Sequence, residues 1–226
     1  MAVRERYITL MASLPYIGQL FAVKQTPLSR LKLERRLQML EHDDAVLLRR
    51  IEALLDWAQL PMDRSDAEII AQAQRLLSWL DNALLRDIVA FRLELRTVMA
   101  ALRRRKRGEG VPRSKPWGYG RWVDQIQRYW TEPGFRLEGV FPWITDAHRL
   151  LQADDSVGLE RLLTGVIWDE LGRAAEGHYF DLEAVVTYVL RWNVVERWTD
   201  YNGEAAVKRF TKLVDAGIGQ FEEIFA

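Results

Sequence analysis

Apolar residues recur at alternating steps of four and three positions near the middle of the chain. They are Leu84, Ile88, Phe91, Leu95, Val98 and Leu102. This spacing places apolar side chains along one side of an α-helix, as in a coiled coil. The pattern predicts a long helix from Asn82 to about Arg107, with Asp87, Glu94, Thr97 and Arg104 off the apolar stripe.

A second apolar pattern, between Asp181 and Trp198, nearly encircles a helix. Its members are Leu182, Val185, Val186, Val189, Leu190, Val194, Val195 and Trp198. A narrow polar strip remains, formed by Glu183, Thr187 and Arg191. Because a helix that is apolar on nearly every side is usually buried, we predict this helix at the centre of its half of the chain.

Capping residues mark several helix starts. Residues 65–68 form the capping box SDAE, in which the serine hydroxyl accepts from the amide of Glu68 while the carboxylate reaches back. Asp181 is a predicted N-cap, because a short acidic side chain accepts from the free amides of a first turn. The aspartate pairs at 43–44 and 154–155 predict two more helix starts.

Glycine and proline are concentrated in one part of the chain. Residues 19–107 contain no glycine, and no proline follows residue 142. Both residue types break regular structure. We therefore predict an all-α, multi-helix domain with a helical half at 1–107, a Gly/Pro/Trp-rich connector at 108–142 and a second helical half at 143–226. The β-branched stretch RYITLMASL, residues 6–14, is predicted to be a short strand or an extended segment.

Residues 37–60 and 148–171 resemble each other when their aspartate pairs are aligned. Eight of the 24 positions are identical, and a second capped helix follows each copy. A repeated helix pair predicts a pseudo-symmetric helical architecture. Chance similarity between two leucine-rich amphipathic helices is the alternative.

Composition narrows the classes of function. The chain has 226 residues, 49% of them hydrophobic, and 32 basic residues balance 32 acidic ones. Since nucleic-acid-binding domains usually carry a basic excess, no nucleic acid is expected as a partner. The absence of cysteine excludes disulfides and cysteine nucleophiles. The apolar stretch 7–23 is interrupted by polar and helix-breaking residues, so neither a secretory signal nor a membrane span is expected.

The chain lacks the common catalytic motifs. It has no phosphate-binding loop, dinucleotide fingerprint, nucleophile elbow or zinc-protease motif, so no catalytic residue, cofactor or metal is predicted. The densest ionisable cluster is WDELGRAAEGHYFD, residues 168–181. His178 and its neighbouring carboxylates could hold a metal, which keeps a metal-dependent enzyme as an alternative. The favoured interpretation is a loop between helices whose acids cap helices or face solvent.

The strongest candidate for a partner contact is the basic stretch at the end of the long helix. It comprises Arg103, Arg104, Arg105, Lys106, Arg107, Arg113 and Lys115, with Trp117 and Trp122 beside it. We predict that it contacts acidic lipid headgroups or an acidic partner subunit. One alternative is a solvated helix end, where cations favour the helix dipole. Another is nucleic-acid binding by the basic loop 103–115 and its aromatic residues.

The nine tryptophans divide into two groups. Five lie in predicted helices with apolar neighbours and are expected in the core: Trp57, Trp79, Trp168, Trp192 and Trp198. Four lie in or beside the connector, where some are expected to be exposed as protein contacts: Trp117, Trp122, Trp130 and Trp143.

Several segments carry a resemblance to a known family. They are YITLMASLPYI (7–17), VIWDELGRAAEGHYFDLEAVVTYVLRWNVVERW (166–198), GEAAVKRFTKLV and the helix end FRLELRTVMAALRRRKRG. The first resembles the N-terminal signature, and the second the C-terminal signature, of uncharacterised proteins encoded in bacterial V/A-type ATPase operons. Together the segments cover most of the chain.

That family is similar to the C/d subunit of the V/A-type rotary ATPase, an all-helical, non-catalytic collar built from pseudo-symmetric repeats. The resemblance implies a non-catalytic subunit or assembly factor that links the rotor stalk to the membrane ring. It implies ATPase subunits as partners and a cytoplasmic location at the inner face of the plasma membrane. It carries over no catalytic residue, and the chain is shorter than a typical C/d subunit.

Overall fold

The computed structural model describes residues 6–55, 66–113 and 116–200. Across these ranges the chain is helical, with one 3-10 turn and no strand, which confirms the all-α class. The helices are α1 Ile8–Ser13, α2 Arg30–Leu37, α3 His42–Leu55, α4 Asp66–Trp79, α5 Ala83–Lys106, α6 Val123–Arg128, α7 Ile144–Gln152, α8 Ser156–Ala175 and α9, residues 182–200. Within the same ranges, none of them has the length and apolarity that a bilayer crossing requires.

Helix α5 is the predicted long helix and has well-defined ends. The side-chain oxygen of Asn82 accepts a hydrogen bond from the N–H of Leu85 at 3.0 Å, which caps the first turn. Gly108 ends the helix at φ 76°, and the N–H of Glu109 donates to the carbonyl of Arg104 at 3.1 Å. A left-handed glycine with this bond is a Schellman cap. The prediction of a helix from Asn82 to about Arg107 is confirmed. The placing of Thr97 off the apolar stripe is wrong, because Thr97 is buried and its hydroxyl donates to the carbonyl of Leu93 at 3.0 Å.

A hydrophobic cluster includes side chains from all three predicted parts of the chain. Helix α5 packs against α3, α6, α7 and α8, and its Leu95 and Val98 are fully enclosed. The connector adds Phe135 and Phe141 to the same cluster. The connector is therefore part of the core and not a spacer between two halves.

Helix α9 occupies the buried position that its pattern predicts. Val185, Val189 and Trp192 are fully enclosed, and the indole N–H of Trp192 donates to the carbonyl of Leu28 at 3.0 Å. The predicted polar strip is partly wrong, because Thr187 is also buried. Its hydroxyl donates to the carbonyl of Glu183 at 2.8 Å, which satisfies the hydroxyl without water.

The N-terminal strand prediction is wrong, because residues 8–13 form helix α1. The N–H of Tyr7 donates to the carbonyl of Phe180 at 2.7 Å, and the Leu10 side chain is buried. Tertiary contacts of this kind override the weak strand preference of Ile8 and Thr9.

The tryptophan predictions are correct in part. Trp192 and Trp198 are buried and Trp168 is half-buried, but Trp79 is 74% exposed, which contradicts its assignment to the core. Near the connector the expectation of exposure is also wrong. Trp117, Trp130 and Trp143 are buried and Trp122 is half-buried. Trp57 lies outside the described residues.

The predicted helix starts agree with the structure. A carboxylate oxygen of Asp181 accepts from the N–H of Ala184 at 2.9 Å, and one of Asp155 accepts from Gly158 at 2.8 Å. The pair 43–44 lies in the first turn of α3. Ser65 of the predicted capping box lies outside the described residues.

The internal repeat stays a prediction. Both aligned segments are helical, and another helix follows each of them. Their aspartates differ in place, since Asp43 lies inside α3 whereas Asp154 lies at the left-handed end of α7 with φ 55°. In the alignment of the two segments, α8 therefore begins at a later position than α3.

Truncating the enclosed centre of α5 tests this packing. We expect Leu95→Ala to lower the free energy of unfolding by about 2–5 kcal/mol, because it leaves a cavity among α5 and its neighbours. The matched control Leu31→Ala removes the same atoms from a side chain that is 59% exposed on α2 and should change stability by less than about 0.5 kcal/mol. Urea unfolding followed by circular dichroism measures both. Equal losses would contradict the packing.

Candidate functional site

The cations at the end of α5 point in different directions, and Arg105 points inward. Its guanidinium donates to the carbonyl oxygens of Glu132 and, at 2.8 Å, of Pro133. It also lies 4.8 Å from the ring centroid of Phe135. Phe135 and Arg136 adopt φ values of 54° and 57°, which are uncommon for residues with a Cβ. Arg105 therefore holds the connector where its backbone turns sharply.

Lys106 also has a structural role, at the end of helix α7. Its ammonium donates to the carbonyl of Leu151 at 2.6 Å and to the carboxylate of Asp154. Leu151 belongs to the last turn of α7 and Asp154 follows the helix end, where the N–H of Asp155 donates to the carbonyl of Leu150 at 3.0 Å. A cation at this position complements the negative end of the helix dipole. Lys106 thus joins the end of α5 to the end of α7.

Several members of the predicted partner-contact set are engaged within the chain, and the contact itself stays a prediction. Arg105 and Lys106 bind other parts of the same chain, and burial lowers the pKa of Arg105. Trp117 is 3% exposed, so its ring presents no free face. The indole N–H of Trp122 donates to the Glu94 carboxylate at 3.2 Å.

The remaining cations form an outer basic edge, defined as Arg103, Arg107 and Arg113. All three are exposed. A guanidinium nitrogen of Arg107 lies 2.6 Å from the carboxylate of Glu109, which also lies 3.9 Å from the half-buried Arg104. Lys115 lies outside the described residues. These three arginines are the exposed basic members of the predicted set among the described residues.

Arg103 also lines a cavity of about 740 Å³ bounded by residues of α2, α3, α5, α8 and α9. Although Arg103 is exposed as a whole residue, its position in the cavity lining desolvates it and lowers its pKa. The nearby cations Arg107, Arg197 and Arg96 also lower this pKa, against an opposing effect of Glu160. Arg197 lies 2.7 Å from the carboxylate of Glu160. Pairing of this kind offsets part of the cost of removing charges from water.

A second ion-pair group lies in the same cavity and joins three helices. Arg30 of α2 lies 3.0 Å from the carboxylate of Glu52 on α3. The amide of Asn193 on α9 donates to the same carboxylate at 2.9 Å. Since these groups already satisfy one another, we assign them to holding α2, α3 and α9 together.

The two segments that resemble family signatures meet along one line, which we call the signature seam: residues 7–17 against residues 178–191. At one end the N–H of Tyr7 donates to the carbonyl of Phe180 at 2.7 Å. At the other end the Tyr188 hydroxyl donates to the carbonyl of Pro15 at 2.8 Å. Burial raises the pKa of Tyr188 to about 12, so this hydroxyl remains a donor at neutral pH.

The signature seam leaves aromatic side chains in solvent at both ends. Tyr179 is 69% exposed beside Phe180, and Tyr16 is 87% exposed next to Pro15. Large exposed aromatic rings are typical of protein contacts. Sequence reasoning missed this surface because its residues come from opposite ends of the chain.

His178, Asp181 and Glu183 form a compact group at the start of α9, with one ligand atom of each within 4.8 Å of the others. All three have hydrogen bonds already. His178 Nδ1 lies 2.7 Å from the Asp181 carboxylate, which also caps α9. Glu183 accepts from the amide of Asn82 at 2.6 Å. The group therefore ties the start of α9 to the start of α5, in agreement with the helix-capping interpretation.

The fold and these contacts define an all-helical protein whose long central helix is tied at both ends. The chain belongs to a family described as a protein of unknown function, DUF2764, which matches residues 70–218. The match includes α5, the connector and the segment 166–198, whereas residues 7–17 precede it. Searches of the curated proteins and of the solved structures returned no match.

Removing the Arg105 guanidinium tests its structural role. We expect Arg105→Met to lower the free energy of unfolding by about 1–3 kcal/mol, since the connector carbonyls lose their charged donor. Arg113→Met, at an exposed position, is the matched control and should be neutral within about 0.5 kcal/mol. Chemical denaturation measures both variants. An Arg105→Met protein as stable as the control would show that the connector does not depend on this side chain.

The cap of α9 is testable with two substitutions at one position. Asp181→Ala should lower stability by about 0.5–2 kcal/mol, because it removes the cap and the partner of His178. Asp181→Asn keeps an acceptor that caps helices as well as aspartate does and should cost less. Thermal unfolding compares the two. If they are equally damaging, the charge facing His178 and not the cap is what stabilises this helix start.

Proposed function

We propose that this protein is a non-catalytic subunit of a bacterial V/A-type rotary ATPase, or an assembly factor for it, acting as a collar between the central stalk and the membrane ring. The observation that carries the proposal is the resemblance of segments 7–17 and 166–198 to proteins encoded in V/A-type ATPase operons. Their contact along the signature seam supports it, since two segments that resemble one family form one structural unit.

The fold suits a mechanical role. Helix α5 has 24 residues and a length of about 36 Å. Asn82 at its start bonds to Glu183 of α9, and Lys106 at its end bonds to the last turn of α7. A packed helix with both ends held resists bending, as a part that passes torque from stalk to ring must.

The outer basic edge is the proposed contact for an acidic partner subunit or for acidic headgroups at the inner face of the plasma membrane. Exposed arginines attract such surfaces over several ångströms. The inward-facing Arg105 and Lys106 are not part of this contact, because their donors are used within the chain.

A contact with an acidic ATPase subunit needs fewer exposed side chains in this region than binding of nucleic acid does. Binding of single strands by the basic loop would use aromatic rings beside the cations. Trp117 is enclosed, Trp122 is bonded to Glu94 and the chain has no net charge. A contact with an acidic protein needs the exposed arginines alone.

An affinity pull-down from the native cell tests the assignment. The tagged wild-type protein should recover stalk and ring subunits of the rotary ATPase. The double variant Arg107→Glu, Arg113→Glu should recover several-fold less, because it places carboxylates against an acidic surface. Arg149→Glu, which reverses an exposed charge on α7, is the matched control and should recover as much as the wild type.

The two possible failures have different meanings. If the wild-type protein recovers no rotary ATPase subunit, the proposed function is wrong. If the double variant recovers as much as the wild type, the outer basic edge is not the contact, and the rotary-ATPase assignment stands without it.

A further inference from the structure

Helices α3 and α4 lie side by side and leave a groove of about 980 Å³ on their outer surface. Its floor is apolar and includes the buried Leu54 and Leu76 and the half-buried Val46. A groove with an apolar floor is the kind of surface that receives one face of an amphipathic helix.

Three arginines line the groove: Arg49, Arg50 and Arg75, all exposed. The Nε groups of Arg49 and Arg75 donate to carbonyl oxygens one turn back, at 3.2 and 3.3 Å. The Arg50 guanidinium lies over the ring of Trp79. Glu68 is the carboxylate among the described lining residues, so three cations face one acid.

Trp79 stands at the groove with 74% of its surface exposed. The guanidinium of Arg50 lies 5.3 Å from the centroid of its ring, which holds both side chains in place by a cation–π contact. Tryptophan and arginine, together with tyrosine, are enriched among the energetically dominant positions of protein interfaces. An exposed Trp–Arg pair with fixed orientation beside an apolar groove is therefore suited to anchoring a partner protein.

We propose that the groove between α3 and α4 binds an acidic amphipathic helix of a partner protein. The apolar face of that helix lies on Leu54 and Leu76, and its flanking carboxylates meet the arginines, whose planar forks match carboxylates. The Trp79 ring covers one end. This site consists of residues other than the outer basic edge and extends beyond the proposed function.

The groove favours a protein helix over the other acidic ligands. A nucleic acid would lay phosphates and sugars over the apolar floor, where nothing can pair with them, and one face of the Trp79 ring already lies against Arg50. An anionic bilayer contacts protruding side chains, whereas this floor is recessed between two helices. An amphipathic acidic helix places apolar side chains on the apolar floor and carboxylates beside the three arginines at the same time.

Peptide binding tests the proposal. The probe is a fluorescent amphipathic peptide of about 18 residues, about five helical turns, with leucines on one face and glutamates beside it. We expect the wild-type chain to bind it. Arg50→Glu, Arg75→Glu and Trp79→Ala should each weaken binding by about tenfold or more. The matched control Arg128→Glu, at an exposed position on α6, should leave binding unchanged.

A charge-swap experiment distinguishes loss of the arginine contacts from misfolding of the variants. The same peptide with lysine in place of each glutamate should bind poorly to the wild type and better to the double variant Arg50→Glu, Arg75→Glu. Failure of the glutamate peptide to bind at about 1 mM, or equal binding of both peptides, would overturn the proposal. So would tighter binding of a single-stranded oligonucleotide or of phosphatidylserine vesicles that is lost in the same variants.

Discussion

The fold depends on how the last turn of α5 is held. Lys106 and Arg105 donate to backbone carbonyls of α7 and of the connector, at points where the chain turns. The carbonyls of Leu151 and Glu132 also accept from backbone N–H groups of the same turns, so the cations add charge-assisted bonds to turns that already carry backbone bonds. These bonds fix the connector beside α5, where its aromatic residues join the same hydrophobic cluster.

The same constraint changes the functional interpretation of the basic stretch. Five consecutive basic residues suggest an electrostatic contact with a partner. In the structure, however, their side chains point in different directions. Arg105 and Lys106 stabilise the chain itself, while Arg107 and Arg113 remain in solvent. Any partner therefore meets a smaller and more defined set of charges than the sequence displays.

The positions of the tryptophans show what the apolar pattern of the sequence can predict about burial and what it cannot. Trp79 and Trp192 both lie in helices among apolar neighbours. Trp192 is enclosed because α9 is surrounded by other elements, whereas Trp79 lies on the outer side of α4. In the connector the pattern is irregular, so no face could be assigned, and Trp117 and Trp130 proved to be core residues.

The sequence by itself determined the all-α class, the extent of α5, the helix start at residues 154–155 and the cap at Asp181. These features depend on residues within about one turn of each other, so local periodicity and hydrogen bonding suffice to predict them. Only the tertiary structure decided that residues 8–13 are helical, that Lys106 faces Leu151, and that the seam and the groove exist. Those outcomes depend on contacts between residues far apart in the chain, which local patterns do not encode.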